Sequence, residues 1–421
     1  MELSKESELL LSNCWLVDNT RTTKLNQKQN AQWEFISKNF CGIVIQPSEF
    51  NPANLKPNSL VYLCGDVTDG LNQMNLYGVN HINIVTDLAT NFSIDILESN
   101  VYHLIKLGQV PINVHGLGIL FPELFSDDTN YFSTITSEHT FQTLTESNKP
   151  SNALRTGIYL TPVTQTPDGT GLEFNLLRCS SNLAGPTDNF RSTDNKVTTT
   201  VNTLAKSFFA NPATLNHVLA QTYHNTVEVN KEKKAKIKDH SDKTKDMPSN
   251  GLMGFCSFYE GYTSTDKFSN KFTQSESDLW DYCYKETSVL TKLRFRLKSC
   301  VQDDQFVKQF DVVLYPNSVF LMSLSTNRLY THEIVPSSLP VDKIPTRMGY
   351  VIRCSKTKAI YVNGNTWFVD GNELIPICSA DPKEIIQLKE LYWKENTSAD
   401  KIIYDKFNFS LNSGDYSQPI I

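Results

Sequence analysis

A histidine and an aspartate two residues apart, His240 and Asp242, have the types and spacing needed to hold a metal ion. In an extended segment, side chains at positions i and i+2 point to the same face, so these two can bind one ion together. A third ligand has to come from another strand, and His332 lies in a strand-like segment, RLYTHEIV. Two histidines and one carboxylate on one face leave three coordination positions open, as in non-haem Fe(II) oxygenases. Taken alone, the His-x-Asp pattern is common, and its alternative interpretation is a solvated turn among lysines.

Two arginines follow His332 at a spacing that also indicates binding. Arg347 and Arg353 are six residues apart, so in a strand both face the same side. A guanidinium binds a carboxylate in a bidentate manner, and burying two of them is costly unless anions meet them. A dicarboxylate such as 2-oxoglutarate would supply that negative charge.

A third pattern lies on the segment LNHVLAQTYHN, which precedes the His-x-Asp pair. Gln221 and Tyr223 are again at positions i and i+2, so an amide and a phenol hydroxyl can reach carboxylate oxygens from one face. Along the chain the order is therefore Gln-x-Tyr, His-x-Asp, a distal histidine, and Arg-x5-Arg.

The elements that must position these residues are mostly short strands. Eight apolar segments of strand length lie between residues 252 and 370 with turn signals between them, which is typical of an all-β sandwich or barrel. Apolar residues at helical spacing predict helices over 194–209 and 380–393. The polar residues after the second helix are expected to be loosely held.

In the first third of the chain, short apolar runs alternate with polar turns and a helical segment, and this pattern predicts a small α/β or α+β unit. A helix is expected over 93–107, and the polar stretch 126–150 is the expected boundary of this unit. Strands are expected at three short apolar runs, 41–46, 60–65 and 82–87.

Over roughly residues 155–375 the order of motifs resembles the AlkB-like branch of the Fe(II)/2-oxoglutarate dioxygenases. The resemblance implies a double-stranded β-helix (jelly-roll) core and Fe(II) bound by the His-x-Asp pair and the distal histidine. It also implies that Gln221, Tyr223, Arg347 and Arg353 contact 2-oxoglutarate. In the family the first arginine holds the distal carboxylate of 2-oxoglutarate, which corresponds to Arg347, and Arg353 would lie nearer the metal.

Three residues depart from the family pattern. Gln221 stands where the family has asparagine, Gly349 where it has asparagine, and Val351 where it has threonine. The stretch between the His-x-Asp pair and the distal histidine is also long, and an insertion is expected near 261–284. The resemblance does not reach the first 150 residues and does not identify the substrate.

The expected fold class is α+β, with a jelly-roll core, flanking helices and a smaller N-terminal α/β domain. Residues 1–150 are expected to form an accessory or recognition domain that contributes no iron ligand. Residues 151–380 are expected to form the dioxygenase domain, and residues 381–421 a C-terminal helix and tail.

Composition limits the range of functions further. The chain of 421 residues has a net charge of −6, which excludes a globally basic nucleic-acid binder but not a local basic patch. One such patch is the lysine-rich segment 231–238 with Lys243 and Lys245, which is either a solvated loop or positive charge at the mouth of the iron site. The nine cysteines contain no C-x-x-C pair, so a reducing compartment is expected, cytoplasmic or nuclear and not secreted. No membrane span is expected.

The resemblance implies an oxidoreductase that uses O₂ and 2-oxoglutarate to hydroxylate or oxidatively demethylate its substrate. A nucleic-acid base is a candidate substrate, since AlkB-like enzymes often act on such bases. The alternatives are a hydroxylase of a protein side chain or small metabolite, and a non-catalytic jelly-roll interaction protein. The arginine pair favours an enzyme, because an inert barrel has no need for two inward guanidiniums.

Overall fold

The computed structural model describes residues 6–91, 100–145, 152–178, 183–228, 231–262, 288 and 290–421. Near the N-terminus, five strands form a parallel sheet in the order β2-β1-β3-β4-β5. The five are β1 Cys14–Asn19, β2 Ile43–Ile45, β3 Leu60–Asp66, β4 Ile82–Thr90 and β5 Tyr102–Ile105.

Two helices connect strands of this sheet, α1 Gln27–Asn39 and α2 Val67–Gln73. Each begins at a polar N-cap residue, because the first backbone N–H groups of a helix need an acceptor. Asn26 accepts from the backbone of Gln29 in a capping box, and Asp66 accepts from the backbone of Asp69. The three strands predicted at 41–46, 60–65 and 82–87 correspond to β2, β3 and β4.

The centre of the molecule is a nine-stranded sheet. Its path is β12-β9-β13-β21-β16-β19-β7-β6, and β8 pairs with β9. Its strands are β6 Ile112–Val114, β7 Gly118–Phe121, β8 Gln142–Thr145, β9 Asn152–Thr161, β12 Asp188–Asn189, β13 His217–Tyr223, β16 Leu252–Tyr259, β19 Ser318–Ser323 and β21 Arg347–Arg353.

One face of this sheet is covered by two helices, α3 Tyr131–Glu138 and α4 Ser192–Phe208. Tyr350, on β21, points to that side, since its hydroxyl donates to Asp194 Oδ1 of α4 at 2.7 Å. Because side chains alternate along a strand, Arg347, Gly349 and Arg353 point to the opposite face. Every residue of β13, β16 and β19 is buried, as expected for strands covered on both faces.

A three-stranded antiparallel sheet lies against that opposite face. It has the order β18-β17-β20, and its strands are β17 Lys292–Leu297, β18 Gln309–Val313 and β20 Tyr330–Val335. Phe295 and His332 point inward: the ring of Phe295 is 5.6 Å from that of Phe320 on β19, and the ring of His332 is 5.5 Å from that of Phe255 on β16. The two sheets therefore enclose an inner layer of side chains.

The remaining elements lie around these sheets. A five-stranded antiparallel sheet has the order β10-β11-β22-β23-β24. Its strands are β10 Thr164–Gln165, β11 Gly171–Leu176, β22 Thr357–Val362, β23 Asn365–Asp370 and β24 Glu373–Pro376. Also present are the hairpin of β14 Thr226–Glu228 and β15 Lys231–Lys233, and the helices α5 Leu324–Leu329 and α6 Pro382–Thr397. None of the helices in the described part of the chain reaches the length and hydropathy that crossing a bilayer requires.

Two segments that the sequence assigns to the first domain belong to the central sheet in the structure. The strands β6 and β7 extend it from β19, and β8 extends it from β9. The hydrophobic core is also continuous, because Leu16 of the first sheet and Val319 of the central sheet belong to one buried cluster. Sequence patterns could not show this, since each added strand pairs with a partner far along the chain. The division of the chain at residues 150 and 380 otherwise stays a prediction.

Two further expectations are wrong. Of the predicted helix over 93–107, residues 93–99 lie outside the described residues, and Tyr102–Ile105 is strand β5, held by parallel pairing with β4. The tail is not loosely held. Phe409 is 1% exposed, and the buried Arg178 donates from Nη1 to the carbonyl oxygens of Phe407 and Phe409. The insertion expected near 261–284 lies almost wholly outside the described residues.

Candidate metal centre

The structure brings His240, Asp242 and His332 together. One ligand atom of each lies within 4.8 Å of the other two, and His240 Nε2 is 3.5 Å from Asp242 Oδ1. The cause is a backbone bridge, in which the His240 N–H donates to the His332 carbonyl at 3.0 Å and the His332 N–H donates to the His240 carbonyl at 2.7 Å. The His-x-Asp segment thus runs beside β20, and the i, i+2 spacing turns both ligand side chains toward His332.

The orientation of His240 is set by its backbone. Its Nδ1 lies 2.8 Å from the carbonyl oxygen of Lys238, so Nδ1 carries the proton and donates. The other nitrogen, Nε2, then has its lone pair available toward Asp242. A ring nitrogen held in this way is the usual arrangement of a metal-binding histidine.

His332 is buried between aromatic rings, with Phe255 and Phe295 at centroid distances of 5.5 and 5.6 Å. Burial, with a smaller contribution from the neighbouring His240, lowers the pKa of His332 to about 3, so the imidazole is neutral. Its buried Nδ1 makes no hydrogen bond within the described residues. A neutral imidazole is the form that binds a metal ion.

Asp242 is held in its charged form by Arg353. Burial would raise the pKa of Asp242, but the charge of the Arg353 guanidinium, with a smaller contribution from His240, lowers it well below its usual range. Arg353 Nη1 lies 3.4 Å from Asp242 Oδ2, and Arg353 is only 2% exposed. The second arginine of the predicted pair therefore does lie at the candidate metal site.

These residues fit a divalent ion such as Fe(II). Two ligand atoms that each bind one ion at about 2.1 Å lie roughly 3.0–3.4 Å apart, which is close to the separation of His240 Nε2 and Asp242 Oδ1. Two imidazoles and one carboxylate form the donor set of the three-ligand iron sites. The buried Nδ1 of His332 has no hydrogen-bond partner within the described residues, which fits a ring that binds a metal ion.

Arg347 is the most unusual charged group near this site. It is 5% exposed, its Nη2 atom is buried without a hydrogen bond, and within the described residues it has no acidic partner. Its guanidinium carbon lies 4.2 Å from the ring centroid of Tyr223, its register partner on β13. A buried guanidinium that meets only a ring face lacks the anion that normally accompanies it.

Gln221 and Gly349 lie directly opposite each other on β13 and β21. The side-chain oxygen Oε1 of Gln221 is 3.5 Å from the hydroxyl oxygen of Tyr223. A methyl group at Gly349 would lie 3.2 Å from both Arg347 Nη1 and Tyr223 Cε2. The glycine that replaces the family's asparagine therefore gives the arginine and the tyrosine room to stack.

One inward-facing polar residue was missed in the sequence. Ser257, on β16, lies opposite Gly349, is fully buried, and its hydroxyl has no hydrogen-bond partner in the described structure. A serine in an apolar strand segment, LMGFCSFYE, carries no signal of its own. Only the strand register shows that it lies beside the Arg347 and Tyr223 pair.

Two of the lysines expected to be solvated or at the mouth of the site are buried. Lys243 is 7% exposed and donates to the carbonyl oxygens of Ser241 and Tyr392, and Lys245, also 7% exposed, lies 3.9 Å from Asp246. The Lys243 ammonium group therefore supports the chain around the site. Because both lysines are buried, neither matches the interpretation as a solvated loop.

A second group of ligand-type residues, Glu138, His139 and Asp194, lies behind the central sheet. Both ring nitrogens of His139 are already bonded, to Asp188 and Asp194 at 2.8 Å each. Burial would lower the pKa of His139, but these two carboxylates raise it to about 9, so the ring is an imidazolium. An imidazolium has no lone pair for a metal ion.

No protein-family model matches the chain, and no curated protein matches it. Among solved structures it is similar to a Pseudomonas putida prolyl-4-hydroxylase, with 10% identity and a TM-score of 0.27 over 53% of this chain and 82% of that chain. It is also similar to OsALKBH1, with 10% identity and a TM-score of 0.32 over 56% of this chain and 96% of that chain. These values are too low to assign a family or an activity.

Proposed function

We propose that this chain is an Fe(II)- and 2-oxoglutarate-dependent dioxygenase of the AlkB-like kind, with the jelly roll formed by the central and three-stranded sheets. The observation that carries the proposal lies on β21. Arg353 pairs with the metal-ligand candidate Asp242, and six residues away on the same face Arg347 is buried with no acidic partner among the described residues. One strand thus joins a three-ligand metal site to a place for a carboxylate.

In this proposal His240, Asp242 and His332 hold Fe(II). Bound iron supplies the redox chemistry with O₂ that converts 2-oxoglutarate to succinate and CO₂ and oxidises the substrate. Arg353 keeps Asp242 ionised and oriented toward the two imidazoles.

The co-substrate contacts would come from the other end of the inner face. Arg347 would bind the distal carboxylate of 2-oxoglutarate in a bidentate manner, with Tyr223 and Gln221 beside it. The rings of Phe255 and Phe295 keep water from one side of the site.

The primary substrate would be hydroxylated or oxidatively demethylated. A nucleic-acid base is the first candidate, and a protein side chain or small metabolite is the alternative. Burial of Lys243 and Lys245 removes two cations from the surface that would hold a phosphate backbone, which favours the alternative. A reducing location, cytoplasmic or nuclear, is supported by the free, buried thiols of Cys14, Cys41 and Cys256.

Succinate formation tests the proposal. The wild-type protein is incubated with Fe(II), 2-oxoglutarate and O₂, alone and with oligonucleotides, peptides or metabolites. We expect succinate from the wild type, and none from a His240→Ala variant. Absence of both succinate and metal binding in the wild type would favour the non-catalytic interaction protein.

A further inference from the structure

The segment that carries two of the three candidate metal ligands is not part of a regular strand. Beyond the bridge at His240, its peptide groups are held by side chains. The Asp242 N–H donates to Asn327 Oδ1 at 2.9 Å, and Asn327 Nδ2 donates to the Asp242 carbonyl at 3.0 Å. Asn327 belongs to α5 and fixes one side of the segment.

The other side is held by the last turn of α6. Asn396 Oδ1 accepts from the Ser241 N–H at 2.9 Å, and Glu395 Oε1 accepts from the Thr244 N–H at 3.0 Å and also from the Thr244 hydroxyl. Ser241 is the residue between the two ligands. A shift of its peptide would therefore turn both His240 and Asp242.

Two buried lysines fix this end of α6. Lys243 Nζ donates to the Tyr392 carbonyl at 3.0 Å and to Asn396 Oδ1 at 2.8 Å. Lys298 Nζ donates to the Glu395 carbonyl at 2.6 Å and to the Ser398 carbonyl at 3.1 Å. Cations bonded to the last carbonyl groups complement the helix dipole, so the last turn is a firm support.

We propose that Asn396 is a positioning residue for the metal centre, which makes α6 part of the metal-binding apparatus. The inference rests on the proposed function only in requiring that His240, Asp242 and His332 bind a metal ion. Such a site needs its ligands within about 0.5 Å of the productive geometry. Asn396 meets this need by holding the Ser241 peptide through one acceptor atom, which it shares with Lys243.

Co(II) binding by the full chain tests this role, because its d–d absorption reports coordination geometry. Asn396→Ala removes the acceptor, and we expect Co(II) affinity to fall by about tenfold or more, with an altered absorption spectrum. Asn396→Asp keeps an acceptor oxygen beside Lys243, and should stay within about threefold of wild type. Thr397→Ala is the matched control, because among the residues that the structure describes the Thr397 hydroxyl bonds only to the Trp393 carbonyl of its own helix.

Wild-type affinity and spectrum in Asn396→Ala would overturn the positioning role, as would an equal loss in Thr397→Ala. A lower melting temperature of the apoprotein with unchanged Co(II) binding would mean that Asn396 only stabilises the fold. Should Asn396→Ala fail to fold, Thr244→Val removes the hydroxyl bond to Glu395, and we expect about threefold weaker Co(II) binding; an unchanged affinity would then overturn the role of α6.

Failure of the proposed metal centre gives a different pattern. In that case the wild type binds no Co(II), or His240→Ala binds it as well as the wild type does. If His240→Ala loses Co(II) while Asn396→Ala and Thr244→Val keep it, the metal centre stands and only the positioning role is lost.

Discussion

Arg353 lies with Nη1 3.4 Å from Asp242 Oδ2, so one of the two inward arginines of β21 meets a negative charge of the protein itself. The other, Arg347, meets no acid within the described residues. The two guanidiniums therefore differ in whether an acidic side chain of the described residues lies beside them. An arginine with such a partner forms a structural ion pair, whereas one without it can bind an anionic ligand. This difference makes the two arginines separable by mutation.

Arg347→Ala should weaken 2-oxoglutarate binding while leaving metal binding intact. Loss of one partner of a desolvated charge pair costs about 2–5 kcal/mol, which is roughly 30- to 4,000-fold in affinity. Arg347→Lys should recover part of the loss, since an ammonium cannot form the bidentate contact. Anaerobic titration with 2-oxoglutarate in the presence of Fe(II) measures this, and unchanged affinity in Arg347→Ala would contradict the assignment.

Asp242→Asn should destabilise the protein as well as remove a metal ligand. It leaves the buried Arg353 without its counter-charge, and we expect the free energy of unfolding to fall by about 2–5 kcal/mol. The double variant Asp242→Asn with Arg353→Met should recover part of that stability, because no uncompensated charge remains. Chemical denaturation of the three apoproteins checks the prediction, and a double variant less stable than Asp242→Asn would argue against it.

Gly349→Ala should weaken co-substrate binding without affecting the metal ligands. The added methyl group would lie 3.2 Å from Arg347 Nη1 and from Tyr223 Cε2, so the stacked pair must move. Overpacking of this kind costs about 1–3 kcal/mol, or roughly 5- to 150-fold in 2-oxoglutarate affinity. Gly254→Ala, on the neighbouring strand, is the control, because its methyl group would meet its nearest neighbour at an ordinary 3.5 Å.

Stability should depend on pH through His139. Burial would lower the pKa of His139, but Asp188 and Asp194 raise it from 6.5 to about 9. Because the pKa is higher in the folded state, this stabilisation is complete below pH 6.5 and is lost as the pH rises through 9. Three other groups face this network: Arg191, bonded to Asp188, Tyr350, bonded to Asp194, and the nearby carboxyl group of Glu138.

Denaturation between pH 6 and 10 measures the effect on stability. The wild type should lose about 1–3 kcal/mol of unfolding free energy across this range. A His139→Gln variant should lack that slope. The same slope in both proteins would show that another group is responsible.

Removal of residues 1–150 should give an insoluble protein, although the sequence predicts a separate domain there. The deletion takes away β6, β7 and β8, which leaves edges of the central sheet unpaired, and α3, which covers one of its faces. Exposed sheet edges and apolar faces promote aggregation. Soluble expression of residues 151–421 with a native-like melting transition would contradict this expectation.

The sequence predicts those residues of the candidate site whose spacing along a strand determines which way their side chains point. His240 with Asp242, Gln221 with Tyr223, and the arginine pair all depend on alternation along a strand, which sequence shows directly. Ser257 and Asn396 could not be predicted, because their importance comes only from strand register and from a contact across 155 residues of chain.

The fold was predictable to a similar extent. Segments with a clear period are predicted well: α4 lies within two residues of its predicted bounds, and β13 lies within the segment LNHVLAQTYHN. The segment of β5 looked helical by its apolar spacing, but parallel pairing with β4 outweighs local propensity there. Long-range pairing also explains why β6 and β7 join the central sheet.

The contact between Ser241 and Asn396 also sets an order of events during synthesis. The ligand segment and its support are 155 residues apart, and the support is synthesised last. A nascent chain that already displays His240, Asp242 and His332 still lacks the last turn of α6. Firm metal binding is therefore expected only after the last turn of α6 has been synthesised and has folded, and a premature stop a few codons before residue 396 would leave all three ligands in a protein that binds metal weakly.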